Sequence, residues 1–129
     1  NMSETFIVDS SAWIEYLRGT SKGIKVNEYF KNARLLVTGI VVAEVSINFI
    51  KSIGSSKEAV AVLRSRATLV PFEFQLGQSS AEIYVHQRKT REKFGLADAH
   101  LLAVARICNA KVLTCDNDFS GIPDAVVVK

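Results

Sequence analysis

Apolar positions along this chain follow two rhythms: short unbroken runs, and longer stretches in which they recur every three or four residues. The runs Thr5–Val8, Arg34–Thr38, Thr68–Phe72, Lys111–Thr114 and Ala125–Val128 are rich in Val, Ile, Leu and Thr, and they predict strands. Pro71 is expected to end the third of them. Between the runs, the spacing predicts a helix over Ser10–Gly19 closed by its glycine, then helices over Ile24–Ala33 and Val41–Ile53. A fourth helix, capped by Ser55 or Ser56 with Glu58 completing a capping box, is expected to run to about Arg66. Gln75–Lys93 reads as a long polar-faced helix and Leu96–Asn109 as an apolar one. Residues 118–122 read as a turn or short helical piece. Strands alternating with helices predict an α/β fold: a three-layer α/β/α sandwich with a central parallel sheet. No linker, repeat or low-complexity segment interrupts the pattern, so residues 2–129 are expected to form one domain.

Sheets of this kind place their sites outside the carboxyl ends of the strands, at a topological switch point. Two strand ends here carry acids. In F-I-V-D-S-S-A-W the first strand runs straight into Asp9, and in T-C-D-N-D-F a late strand runs into Asp116, with Asp118 close behind. Each has a plainer use, Asp9 as a helix cap and the other two as turn formers. Two more carboxylates stand in apolar company. Glu44, inside I-V-V-A-E-V-S-I-N-F-I, has Ile40, Val41, Ile47 and Asn48 one turn away, so it either meets a desolvation cost or lies on an exposed edge. Asp98 stands in the first turn of a helix that is apolar nearly all round, where an acid also suits the helix dipole. If the strands ending in Asp9 and Asp116 are neighbours, Glu44 and Asp98 can approach from helices that follow adjacent strands. Four like charges in one cleft then call for a cation. Oxygen donors without a His or Cys cluster favour Mg²⁺ or Mn²⁺ over zinc, and such an ion points to hydrolysis of a phosphodiester.

Composition narrows the partners only slightly. A net charge of +3 over 129 residues is compatible with a polyanion without requiring one. Cys108 and Cys115 form neither a CxxC pair nor a disulfide framework, which fits reduced packing residues in a cytoplasmic protein. The longest apolar stretch, residues 35–50, is broken by Thr38, Glu44, Ser46 and Asn48 and is too polar for a membrane span. Asn1 before Met2 reads as a tag remnant.

D-S-S-A-W-I-E-Y-L-R-G after a strand, a Glu within an apolar helix, L-A-D-A-H at a helix start and T-C-D-N-D-F after a late strand together resemble a PIN domain. The opening motif and the size are similar to the VapC-type toxin ribonucleases of toxin–antitoxin pairs. The resemblance covers the whole chain, with all four acidic motifs in order. It implies a central parallel five-stranded sheet and a Mg²⁺- or Mn²⁺-dependent endoribonuclease. Asp9, Glu44, Asp98 and Asp116 would be its catalytic and metal-holding acids, Asp118 a variable extra ligand, and Ser10 and Thr114 supporting hydroxyls. It also implies an RNA substrate, an antitoxin partner and a homodimer. No general-base histidine is needed.

Beside the acids, H-Q-R-K-T-R-E-K-F offers Arg88, Lys89, Arg91 and Lys93 as contacts for RNA phosphates, or else as a solvated helix end. Arg18 and Lys22 are weaker candidates of the same sort. His100, about 200° round the helix from Asp98, is expected to be a partly exposed bystander, and His86 a surface residue. Trp13, Tyr16 and Leu17 share a helix face that suits either core packing or a docking groove. A phospho-accepting receiver domain would pair two acids after its first strand, whereas Asp9 is followed by Ser10 and Ser11. The competing reading from another class is a PIN-fold RNA-binding or assembly module whose acids turn over no substrate.

Overall fold

The computed structural model describes residues 4–129; Asn1 and Met2 lie outside the described residues. Five strands form one all-parallel sheet: β1 (Thr5–Val8), β2 (Arg34–Thr38), β3 (Thr68–Val70), β4 (Lys111–Thr114) and β5 (Ala125–Val127), in the order β3-β2-β1-β4-β5. Six helices flank it: α1 (Ser10–Arg18), α2 (Ser21–Phe30), α3 (Gly39–Ile53), α4 (Lys57–Arg66), α5 (Phe74–Arg88) and α6 (Leu96–Ile107). Helix α1 packs on both α2 and α3, and α3 on α4, while α5 and α6 form a separate hairpin whose second arm lies against β1 and β4. The expected three-layer α/β fold is therefore the one observed.

The strand order follows from burial. Ile7, Val8, Val112 and Leu113 have essentially no exposed surface, as parallel strands covered on both faces must. The chain lays β2 and β3 to one side of β1, then returns to place β4 and β5 on the other. The switch point thus falls between β1 and β4, where Val8 pairs with Leu113 and the Asp9 N–H donates to the Leu113 carbonyl at 2.9 Å. Helix α6 is buried continuously from Ala99 to Val104 and on to Ala105, so its start is fixed beside this seam by core packing.

Local sequence explains most element ends, and the exceptions have causes. Helix α2 begins three residues before the apolar pattern does, because the Thr20 hydroxyl caps it by accepting from the Gly23 N–H at 3.0 Å. Gly23 itself permits the crossing of α1 and α2, since a Cβ there would collide with the Glu15 carbonyl. The capping box expected at α4 does not form: Ser55 Oγ accepts from the Lys57 N–H at 3.2 Å, and the cap residue Ser56 makes no side-chain bond. Helix α5 stops at Arg88 rather than continuing to Lys93, leaving residues 89–95 as a connector to α6. The third strand ends at Val70, just short of Pro71.

Candidate functional site

Asp9 stands where β1 becomes α1, and its two oxygens do different work. Oδ1 accepts from the Ser10 N–H at 2.8 Å, the helix-capping role expected of a strand-end acid. Oδ2 accepts from the Thr114 hydroxyl at 2.7 Å and from the Ser11 hydroxyl at 3.1 Å. These donors are in turn fixed by the end of β4: the Asp116 N–H donates to Thr114 Oγ1 at 2.9 Å, and the Cys115 N–H to Ser11 Oγ at 3.0 Å. Buried hydroxyls and amides therefore tie the two strand ends together around one carboxylate. Thr114 was expected among the supporting hydroxyls. Ser11 was not, although a hydroxyl two residues after the acid is visible in D-S-S.

The other acids approach from three elements. Asp98, third residue of α6, reaches back so that Oδ2 accepts from the Gly95 N–H at 2.8 Å, which satisfies an otherwise free amide at the helix start. Asp116 Oδ1 accepts from the Asp118 N–H at 2.8 Å, an Asx turn opening the short 3₁₀ helix Asn117–Phe119. Glu44 lies on an exposed part of α3, the edge position that its sequence allowed.

Electrostatics shows that these groups feel one another. Burial raises the Asp9 carboxyl above its ordinary range, against the Thr114, Ser11 and Ser10 hydrogen bonds, and the Asp116 charge adds to the rise. Burial likewise pushes Asp98 up to about 6; the Gly95 amide opposes this, and the charges of Asp9, Asp116 and Asp118 reinforce it. Glu44 is raised as well, first by desolvation of its carboxyl end and then by Asp9, with the Ser10 hydroxyl in opposition. None of the three owes anything to a lysine or arginine.

The donor set is all oxygen, the chemistry of a hard divalent ion. Among the described residues, however, no three His, Cys, Asp or Glu side chains close into a coordination cage. The fit to such an ion therefore rests on the chemistry of the carboxylates and not on a closed cage.

Of the basic candidates, Lys89 and Lys93 are exposed, and Arg88 is exposed with Nη1 on the Tyr84 hydroxyl at 2.7 Å and its guanidinium 5.3 Å from that ring. Arg91 is half-buried and donates to the Asp118 carbonyl at 3.0 Å. Arg18 is also engaged, bonding Asn48 and Ser52 across to α3 and lying 4.7 Å over the Phe49 ring. His86 is exposed as expected. His100 is not: it is buried, its Nε2 has no partner, and it packs 4.3 Å from the Phe72 ring. The far side of α6 is covered too, so turning away from Asp98 leads into protein. Burial lowers the pKa of His100 and favours the neutral ring. Trp13 is fully buried against Phe30 at 5.1 Å and so packs in the core, while Tyr16 and Leu17 are half-buried.

The model of the PIN domain family matches residues 6–125. The chain belongs to the PIN domain family. No curated protein matches it. Among solved structures, this PIN domain is similar to a chain of a toxin–antitoxin complex from Klebsiella pneumoniae, at 23% identity and TM-score 0.71 over 98% of both chains. It is also similar to VapC20 of Mycobacterium tuberculosis, a sarcin–ricin-loop-cleaving toxin, at 19% identity and TM-score 0.73 over 94% of this chain and 96% of that one. VapBC2 of Rickettsia felis, bound to a DNA fragment from its promoter, matches at 16% identity and TM-score 0.73, covering 95% and 96%. The shared feature is the VapC-like PIN fold.

Proposed function

We propose that this PIN domain is a Mg²⁺- or Mn²⁺-dependent endoribonuclease, the toxin of a toxin–antitoxin pair acting in the cytoplasm. One observation carries the reading: at the switch point Thr114 and Ser11 tie the Asp9 carboxylate to the strand end that bears Asp116, and the charges of both acids bear on Asp98. Asp9, Glu44, Asp98 and Asp116 would hold the ion, with Asp118 as a further ligand. When bound, the ion supplies Lewis acidity at a phosphodiester and activates water for in-line attack.

The chain's own groups supply the positioning. Thr114 and Ser11 fix the orientation of the Asp9 carboxylate by donating to Oδ2, and Gly95 does the same for Asp98. Ser10, whose hydroxyl opposes the rise of the Glu44 carboxyl, is the supporting hydroxyl that this reading gives to that acid. The exposed Arg88, Lys89 and Lys93 suit RNA phosphates. An antitoxin partner is part of the same reading, supported by the toxin–antitoxin complexes among the similar structures, and a homodimer is proposed with it on the family resemblance alone. A cleft of about 470 Å³ lined by Leu17, Phe49, Ile53, Ala59 and Val62 suits an apolar segment of such a partner.

The test is cleavage of single-stranded RNA with Mn²⁺, read beside thermal melting. Wild type is expected to cleave, and millimolar Mn²⁺ to raise its melting temperature. Asp9→Asn and Asp98→Asn should lose cleavage and the metal-induced shift while keeping the fold. Cleavage unchanged in both variants would sink the assignment. RNA binding without cleavage by wild type would favour the non-catalytic binding module.

A further inference from the structure

The connector between α5 and α6 touches both halves of the acidic site. At its far end Gly95 holds Asp98 by the 2.8 Å bond to Oδ2. In its middle, Arg91 Nη1 donates to the main-chain carbonyl of Asp118 at 3.0 Å. The Asp118 N–H in turn holds Asp116 Oδ1 at 2.8 Å, so the guanidinium and the Asp116 carboxylate grip one peptide turn from two sides. Between these points Phe94 and Phe119, both fully buried, meet edge to face at 5.5 Å. Arg91 also lies against the bend that follows: Gly121 has φ +84°, which suits glycine, and Arg91 Nη2 is within ordinary contact distance of its Cβ position, 3.5 Å away.

We infer that Arg91 is a positioning residue, which clamps the Asp116–Asp118 turn at a set distance from Asp98 and so fixes the geometry in which the site takes up its ion. This separates it from Arg88, Lys89 and Lys93, which point to solvent and hold no part of the acidic turn. The inference rests on the reading of the acids as a metal site.

Two opposite effects make it testable by sign. A cation near a bound divalent ion repels it, so removing Arg91 only as a charge would tighten metal binding. Removing it as a clamp loosens binding, because outer partners of metal ligands typically contribute tenfold or more to affinity. Mn²⁺ alone is titrated calorimetrically into wild type, Arg91→Met, Arg91→Lys and, as a charge control, Lys89→Met. Arg91→Met is expected to bind Mn²⁺ about tenfold more weakly than wild type. Arg91→Lys, which keeps one donor for the Asp118 carbonyl, should fall between them, and it carries the test if Arg91→Met fails to fold. Lys89→Met should bind as wild type or slightly tighter. In EDTA, Arg91→Met should keep the wild-type salt slope for RNA binding. Equal or tighter Mn²⁺ binding by both Arg91 variants would overturn the inference alone, as would a salt slope reduced by about one, the mark of a phosphate contact. No Mn²⁺ binding by wild type would overturn the metal reading and this inference together.

Discussion

Two strand ends on the same edge of the sheet, Thr38 closing β2 and Asp9 just after β1, begin alike and finish differently. Each follows buried apolar residues, each starts a helix, and each is itself buried. Thr38 spends its side chain on a cap, accepting from the Val41 N–H at 3.3 Å. The surface beside it is apolar: a cavity of about 510 Å³ lined by Val37, Val42, Val60, Leu63 and Leu69. Asp9 also caps its helix, but its second oxygen faces the seam with β4 and gathers donors from two elements. The difference lies in the neighbour. Beyond β2 comes the short edge strand β3, while beyond β1 comes β4 with a threonine and an acid at its end. At the β1–β4 seam both strand ends are polar, and there the donors converge on one carboxylate.

Replacing the two threonines by their apolar isostere should expose that contrast most strongly. Thr114→Val leaves a buried carboxylate oxygen and the Asp116 N–H short of partners, and is expected to cost about 1–3 kcal/mol in urea unfolding. Thr38→Val loses only a cap, about 1 kcal/mol. Equal losses would mean that the seam is no more than another helix start.

Acidity supplies a second, somewhat smaller discriminator. The folded-state pKa of Asp98, about 6, lies above its ordinary 3.8. The folded chain therefore binds more protons than the unfolded one between those values, and its stability falls as pH rises through that window. The metal-free protein should be less stable at pH 7 than at pH 4 on account of this group, by on the order of 1–2 kcal/mol after allowing for its partial exposure. Asp98→Asn should melt above wild type at pH 7 in EDTA, with the gap closing towards pH 4. A gap independent of pH would mean that Asp98 does not titrate as its surroundings dictate.

The smallest effect belongs to the surface. Lys89→Ala with Lys93→Ala should change stability by less than about 0.5 kcal/mol. It should lower the salt slope of RNA binding by about one per lysine. An unaltered slope would assign both to solvent.

Much of this was legible in the chain. Strands β1, β2 and β4 could be bounded to the residue because their β-branched runs end against Asp9, Gly39 and Cys115. The family motif predicted which acids to examine. What local pattern could not show was tertiary. Gln75–Lys93 reads as one helix because nothing in its sequence breaks it; it stops at Arg88, where Arg91 and Phe94 dock on the turn after β4. Ser10 and Ser11 look equivalent on paper, and only the direction of the first helical turn sends Ser11 to Asp9. His100 was misplaced because its burial depends on Phe72, a residue 28 positions away, a separation that helical periodicity does not register.

The bond from Thr114 to Asp9 joins residues 105 positions apart. A chain emerging from the ribosome carries Asp9, Glu44 and Asp98 long before β4 exists to lie beside β1. Until Lys111–Thr114 has been made and paired, the Asp9 carboxylate lacks the donor that orients it, and the turn bearing Asp116 has no strand to hang from. Completion of the acidic centre therefore waits for β4, and a chain halted before Lys111 lacks it.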